Sequence, residues 1–148
     1  ECEANKLTIR IKVSESLDIK GQPLEFINIA HHIILNTLDH GLNPDQTELV
    51  ISALIEQDRL LITFCDNGPG VSQADLARIF EPFFTTARNK ACTGLGLSIV
   101  YNVVTQKFKG EIDALSPCPQ NGGFKLTLSF SVAQTSCQLY ELLTSDTV

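Results

Sequence analysis

The sequence predicts a two-layer α/β sandwich, with a mixed, mostly antiparallel sheet covered on one face by about three helices. Two observations predict it. Strand-like segments come as adjacent pairs, and the helical segments fall between the pairs rather than after every strand, which argues against a doubly wound parallel fold. The 148 residues are also 43% hydrophobic and 19% charged, a composition that supports one buried core without help from disulfides or a metal. No internal repeat and no linker interrupts the chain. One domain is expected over residues 1–148, with a core at about 7–132 and a tail, 133–148, to which no element is assigned.

The elements follow in order. Leu7 to Val13 alternate apolar and polar residues and read as a strand with one wet face. Leu17 to Lys20 is a shorter strand candidate before Gly21. From Pro23 the period changes: Leu24, Phe26, Ile27, Ala30, Ile33, Ile34 and Leu38 recur at three- and four-residue steps. That is a long amphipathic helix, with proline in its first turn and Gly41 just past its end. Asn43-Pro44-Asp45 makes a loop. Glu48–Glu56 and Leu60–Cys65 are strands joined by the polar turn Gln57-Asp58-Arg59. After the breaker-rich Asp66-Asn67-Gly68-Pro69-Gly70, the spacing of Ser72 and Asp75 predicts a capped short helix through Phe80. Residues 81–93 have no period, Gly94 to Lys107 is helical again, and Glu111–Leu115 and Phe124–Val132 form the last hairpin.

Charge and cysteine content narrow the function classes. A net charge of −6 argues against a broad nucleic-acid footprint, which needs a surplus of Lys and Arg. No apolar run approaches the roughly 20 residues of a membrane span, and Glu1 to Lys6 lacks the basic and then apolar layout of a signal peptide. Cys2, Cys65, Cys92, Cys118 and Cys137 are odd in number and widely spaced, without a CxxC pair. They are expected to be free thiols in a reducing cytoplasm, Cys65 simply packing in its strand.

Three stretches are too polar or too glycine-rich for their surroundings. On the long helix, His32, Asn36 and His40 are spaced by four and share one stripe. An Asn in an apolar helix is costly unless its amide is satisfied, and its carbonyl oxygen suits a hard cation. The alternative is that Asn36 bonds a loop and the histidines face water. The separation of His32 and His40, about 12 Å along eight helical residues, argues against a transition metal shared between them. At the end of the strand Ile62-Thr63-Phe64-Cys65, Asp66 can accept a hydrogen bond from an amine, and Gly68 and Gly70 allow close backbone approach or positive φ. The same five residues also suit a plain turn. Thr93-Gly94-Leu95-Gly96-Leu97-Ser98 opens a helix, exposing unpaired N–H groups at the positive end of its dipole, which suits phosphate. Between the second and third stretches, Phe80 to Thr86 places three phenylalanines beside a polar loop, with Arg88 and Lys90 following. This reads either as a lid or as a hydrophobic hinge packed on the core.

Together, and in this order, the stretches resemble the ATP-binding catalytic domain of sensor histidine kinases, whose wider group includes gyrase-type and heat-shock chaperone ATPases. The N box appears as His32-Ile33-Ile34-Leu35-Asn36-Thr37. The G1 box is intact as Asp66-Asn67-Gly68-Pro69-Gly70. The F box matches Ile79-Phe80-Glu81-Pro82-Phe83-Phe84-Thr85-Thr86, and the G2 box Cys92-Thr93-Gly94-Leu95-Gly96-Leu97. Lys109-Gly110-Glu111-Ile112 and Gly122-Gly123-Phe124 look like the family's closing strands. The F box and compact lid are most similar to the nitrogen-regulation type.

The resemblance implies the Bergerat-type ATP-binding fold and the cofactors ATP and Mg²⁺. It gives Asn36 the Mg²⁺ and Asp66 the adenine amino group, with Gly68 and Gly70 flanking the base. Thr93, Gly94, Leu95, Gly96 and Leu97 would offer N–H groups to phosphates, which Arg88 or Lys90 would neutralise. His32, His40, Val71, Phe80 and Thr86 complete the implied binding set. Departures are His32 for the first N-box Asn, Thr37 for Ala, Cys92 for the first G2 glycine, Lys109 for a glycine, and Ala87 for the Lys after the F box. The implied reaction is transfer of the γ-phosphoryl group to a His on a separate dimerisation domain, then to the aspartate of a response regulator. His31, His32 and His40 all fall on the N-box helix, so the chain is expected to be the cytoplasmic kinase half of a larger sensor protein, without nucleic-acid or direct membrane contact. A serine kinase of the anti-sigma type and a degenerate, non-catalytic binding module are the alternatives.

Overall fold

The computed structural model describes residues 7–13, 18–19, 23–40, 47–86, 92–119, 122–132 and 137–138. In chain order the elements are β1 (Leu7–Val13), β2 (Asp18–Ile19), α1 (Pro23–His40), β3 (Thr47–Glu56), β4 (Arg59–Asp66), α2 (Gln73–Leu76), α3 (Gly96–Asn102), β5 (Glu111–Leu115), β6 (Lys125–Ser131) and β7 (Cys137–Gln138). A π-helical turn, Val103–Lys107, continues α3. The main sheet has the order β1-β3-β4-β6-β5, and β2 pairs with β7 in a second, two-stranded sheet. Only β1 and β3 run parallel; the other main-sheet pairs are antiparallel. This is the mixed sheet expected. The candidate helix end at Gly41, the loop Asn43-Pro44-Asp45, and Arg88 and Lys90 lie outside the described residues.

Alternation decides which face is dry. In β3, Leu49, Ile51 and Ala53 are buried, and the register sets Ile51 opposite Phe64 and Ala53 opposite Ile62 of β4. Leu126, Leu128 and Phe130 of β6 continue the layer opposite Phe64, Ile62 and Leu60. Against it α1 lays Phe26, Ile29, Ile33 and Thr37, and the α3 run adds Val100, Val103 and Val104. The rings of Phe26, Phe108 and Phe130 close one end, with centroids 4.8 to 5.7 Å apart. Leu24 and Ile27, admitted by the three- and four-residue steps, instead stand exposed, because α1 is covered on one side only. Ile9 and Ile11 of β1 are aligned with Leu49 and Ile51 yet largely exposed, since an edge strand lies at the margin of the helical layer.

Local chemistry explains the remaining boundaries. Gln57 and Asp58 both have positive φ, 49° and 61°, the two-residue hairpin geometry, so β4 begins already at Arg59. Ser72 caps α2 by accepting Asp75 N–H at 3.1 Å. The helix stops at Leu76 rather than Phe80, because Arg78 N–H turns to the Asp75 carbonyl and Glu81 N–H to the Arg78 carbonyl, tight three-residue steps. The short strands β2 and β7 have two residues each, too few for a period; β7 was not anticipated in the tail.

The cysteine expectation is overturned. Cys65 and Cys118 form a disulfide with Cα atoms 6.7 Å apart, across 53 residues of sequence. Hydrogen bonds from Cys118 N–H to the Gly123 carbonyl and from Gly122 N–H to the Cys118 carbonyl, both 2.7 Å, close the β5–β6 turn that the disulfide joins to β4. Cys92 is not part of this disulfide. Among the described residues no helix is long and apolar enough to cross a membrane.

Candidate functional site

A cavity of about 470 Å³ opens between α1, the loop after β4, the segment after α2 and the turn that starts α3. The α1 stripe supplies His32, Asn36 and His40 to its wall. Asp66, Gly68, Gly70 and Val71 form the end beneath β4, and Thr93 to Leu97 with Thr86 form the opposite side. Thr86 Oγ1 lies 3.5 Å from His40 Nδ1, so the F-box segment reaches back to α1. Phe80 is not in the wall; its ring packs 5.3 Å from that of Tyr101. Phe83 is 75% exposed at φ +66°, while Phe84 turns inward and its ring carries the Arg78 guanidinium at 4.6 Å.

Asp66 is the buried polar centre, 8% exposed. Its Oδ1 accepts Gly68 N–H at 2.9 Å and Phe124 N–H at 3.0 Å, and its own N–H donates to the Phe124 carbonyl at 2.9 Å. Both of these carboxylate hydrogen bonds fall on Oδ1, and Oδ2 has no hydrogen-bond partner among the described residues. Burial raises the Asp66 carboxyl above its usual pKa, opposed by the two backbone hydrogen bonds and by the charge of His40. The loop that follows is pinned from the far side, Asn67 Oδ1 accepting Glu48 N–H at 2.8 Å and Asn67 N–H donating to the Glu48 carbonyl at 3.2 Å. Gly70 has φ +74°, and a Cβ there would lie 2.6 Å from Ser116 Oγ, so both conformation and contact require glycine.

The other end is a donor surface. Leu95 precedes α3 without a side-chain cap, and the first intrahelical amide bond is Ile99 N–H to the Leu95 carbonyl at 3.0 Å. The amides of Gly96, Leu97 and Ser98 are the ones a helix start leaves unpaired. Gly94, at φ +68°, sets this turn directly on the backbone of Phe83 and Phe84. Across the cavity, the Asn36 side chain has no hydrogen-bond partner among the described residues. Burial, and then the neighbouring His31, lower the pKa of His32. Among the described residues no group of three His, Cys, Asp or Glu is placed to hold a metal by itself. A divalent ion here would depend on the Asn36 carbonyl together with ligand oxygens.

Some wall residues escaped the sequence reading. Thr37 and Phe124 are buried and face the cavity, and Leu35 and Thr47 join them. Thr37 could have been found one turn beyond Ile33 on the buried stripe. Phe124 had no such signal, because only the β4–β6 register brings it to Asp66.

Residues 21–134 match the family described as "Histidine kinase-, DNA gyrase B-, and HSP90-like ATPase". The chain belongs to this ATPase family. Within it, sensor histidine kinases are the similar curated proteins: the sensor histidine kinase CpxA of Escherichia coli is 33% identical over 106 residues, and ZraS of Salmonella typhi 30% identical over 107. These alignments cover 68% and 72% of this chain but 22% of either relative, so the chain spans about a fifth of their length. Among solved structures, the mycobacterial sensor histidine kinase MprB superposes with TM-score 0.69 at 20% identity, covering 84% of this chain and 82% of that one. The catalytic domain of histidine kinase ThkA gives 0.72 at 19%, covering 85% and 79%. Those likenesses bear on the fold, which is the mixed α/β sandwich of histidine kinase catalytic domains. In this family frame the four boxes converge on one cavity: N on α1, G1 after β4, F after α2, and G2 at the start of α3.

Proposed function

We propose that this domain binds ATP with Mg²⁺ and supplies the γ-phosphoryl group to a histidine on a dimerisation domain of the same sensor kinase. The observation that carries the reading is the polarity of the cavity, with an acceptor in a buried pocket at Asp66 and an uncapped helix start opposite. Asp66 Oδ2 accepts the adenine amino group, and the tight approach at Gly70 lets the loop lie flat against the base. The amides around Gly96 take the β- and γ-phosphate oxygens, where the helix dipole favours negative charge. Asn36 would help hold a Mg²⁺ brought with the triphosphate, which when bound would supply charge neutralisation. His32, neutral near pH 7, and His40 line the same wall as polar neighbours of the nucleotide.

In the transfer step, an imidazole nitrogen of the acceptor histidine forms a bond to the γ-phosphorus. The bond from that phosphorus to the bridging oxygen breaks, and ADP leaves. A response-regulator aspartate then takes the phosphoryl group from the imidazole. This domain acts by positioning and by charge neutralisation rather than by covalent chemistry. In a sensor kinase of this kind it would work on the cytoplasmic side.

Titration calorimetry with ATP and Mg²⁺ tests the binding half; no heat at millimolar nucleotide refutes it. Labelled ATP, offered with a separately supplied dimerisation domain or with a candidate serine acceptor protein, tests the transfer half. Label on serine would favour the anti-sigma type of kinase, and binding without any transfer the scaffold reading.

A further inference from the structure

The Cys65–Cys118 disulfide joins the two segments that build the Asp66 end of the cavity. Cys65 immediately precedes Asp66. Cys118 lies in the β5–β6 turn, and that turn and its flanks prop the loop after Asp66. Ser116 Oγ accepts Val71 N–H at 2.7 Å, and the Ser116 carbonyl accepts Gln73 Nε2–H at 2.9 Å. Gly123 packs so closely that a Cβ would lie 2.3 Å from Asp66 Oδ1, and Phe124 N–H completes the carboxylate's shell. Ser116, Cys65 and Cys118 are all buried. The loop that carries the base reader therefore rests on a turn fastened to β4 by this disulfide on one side and by the β4–β6 pairing on the other.

We propose that the β5–β6 turn is a disulfide-locked strut of the nucleotide pocket, and that opening Cys65–Cys118 with a dithiol reductant weakens adenine-nucleotide binding. The proposal rests on the nucleotide-binding reading above. In the chemical step a reductant thiolate bonds to one cysteine sulfur as the S–S bond breaks, giving a mixed disulfide. The reductant's second thiolate displaces it, the reductant leaves as its own disulfide, and Cys65 and Cys118 each end as a thiol carrying one proton. Release frees Cys118, and with it Ser116, from the end of β4, while the β4–β6 pairing still holds Phe124 beside Asp66. Val71 N–H then loses its fixed partner, and the loop after Asp66 its prop. Disulfides inside a reducing compartment are commonly of this transient, sensing kind. Coupling is reciprocal, so nucleotide that holds Asp66 and Val71 in place also protects the bond.

The test compares the disulfide form, verified by mass, with the same protein after dithiothreitol, both folded by circular dichroism. Calorimetry is expected to show ADP and ATP weakened by the same factor, about fivefold or more, because the phosphate end is untouched. Hydrogen exchange at the Val71 amide is expected to quicken on reduction. Ser116→Ala is expected to weaken binding in the disulfide form and to shrink the redox difference. Equal affinity in both forms, with only the melting temperature changed, would make the bond a plain structural crosslink and overturn the proposal. If the reduced form unfolds, the initial rate of reduction with and without ADP decides: slower with ADP supports the strut, and an unchanged rate overturns it. A disulfide form that binds neither nucleotide would overturn both this inference and the nucleotide-binding reading.

Discussion

Asp66→Asn isolates the proposed base reader, because the substitution leaves the architecture around it intact. Asn keeps a carbonyl oxygen where Oδ1 now accepts Gly68 N–H at 2.9 Å and Phe124 N–H at 3.0 Å. What changes is the other atom: an acceptor oxygen becomes an NH₂ donor. Against an adenine amine this removes a hydrogen bond to a charged acceptor and sets two donors face to face. The loss should be about 3 kcal/mol, or roughly 150-fold in Kd. In the ligand-free protein the effect runs the other way. Burial raises the Asp66 pKa, so its ionisation opposes folding. The associated stability is fully present below the unfolded-state value of 3.8 and is lost as pH rises through the higher folded-state value. Asn does not ionise, so the apo variant should melt at or above the wild-type temperature at pH 7. Calorimetry with ATP and a thermal melt on the same sample check both halves. Affinity within about threefold of wild type, or lost binding accompanied by lost stability, would refute the assignment. The wild-type affinity should also decline on acidification from a higher pH than an ordinary aspartate allows, and the variant should lack that decline.

Asn36→Ala should weaken Mg²⁺-dependent ATP binding by about 1.4 kcal/mol, roughly tenfold, and Mg²⁺-free binding less; calorimetry showing equal losses would remove its cation role. Gly94→Ala forces an alanine to φ +68° and puts a Cβ 2.6 Å from the Phe83 backbone, so it should cost about 1–2 kcal/mol or more in urea unfolding and also reduce ATP affinity. An unchanged unfolding midpoint would contradict the packing of the G2 turn on the F box. His32 has a lowered pKa, so its contribution is present above the unfolded value of 6.5 and lost as pH falls through the folded value. His32→Asn should flatten the melting temperature between pH 7 and pH 5 (roughly the range of histidine titration), and a slope identical to wild type would place the titration elsewhere.

How much of this was legible in the sequence depends on the range over which each feature is encoded. The helix α1 was legible because its period is local, as was the Ser72 cap, whose partner Asp75 is three residues away. The cavity-lining residues were legible for a related reason: Asp66, Asn36 and Gly94 each violate a local rule, a carboxylate ending an apolar strand, a carboxamide in an apolar helix, glycines opening a helix. Their supports obey every local rule and so gave no signal. Ser116, Gly123 and Phe124 look like ordinary turn and strand-start residues. They reach Val71 and Asp66 only because the antiparallel β4–β6 pairing sets Cys65 opposite Lys125.

The same pairing accounts for the misjudged cysteines. Spacing of 53 residues with no CxxC pair says nothing about two thiols that meet through strand register. It also explains why the β5–β6 turn props the Asp66 end of the cavity. The turn touches Asp66 through amides and packing that no side-chain motif reports. At the phosphate end the corresponding contacts come from sequence neighbours in one short run, Thr93 to Leu97. The cavity thus has one end specified locally and one specified by the sheet. A perturbation that shifts β6 against β4 should therefore cost adenine recognition before it costs phosphate contacts, whereas one in the G2 run should do the reverse.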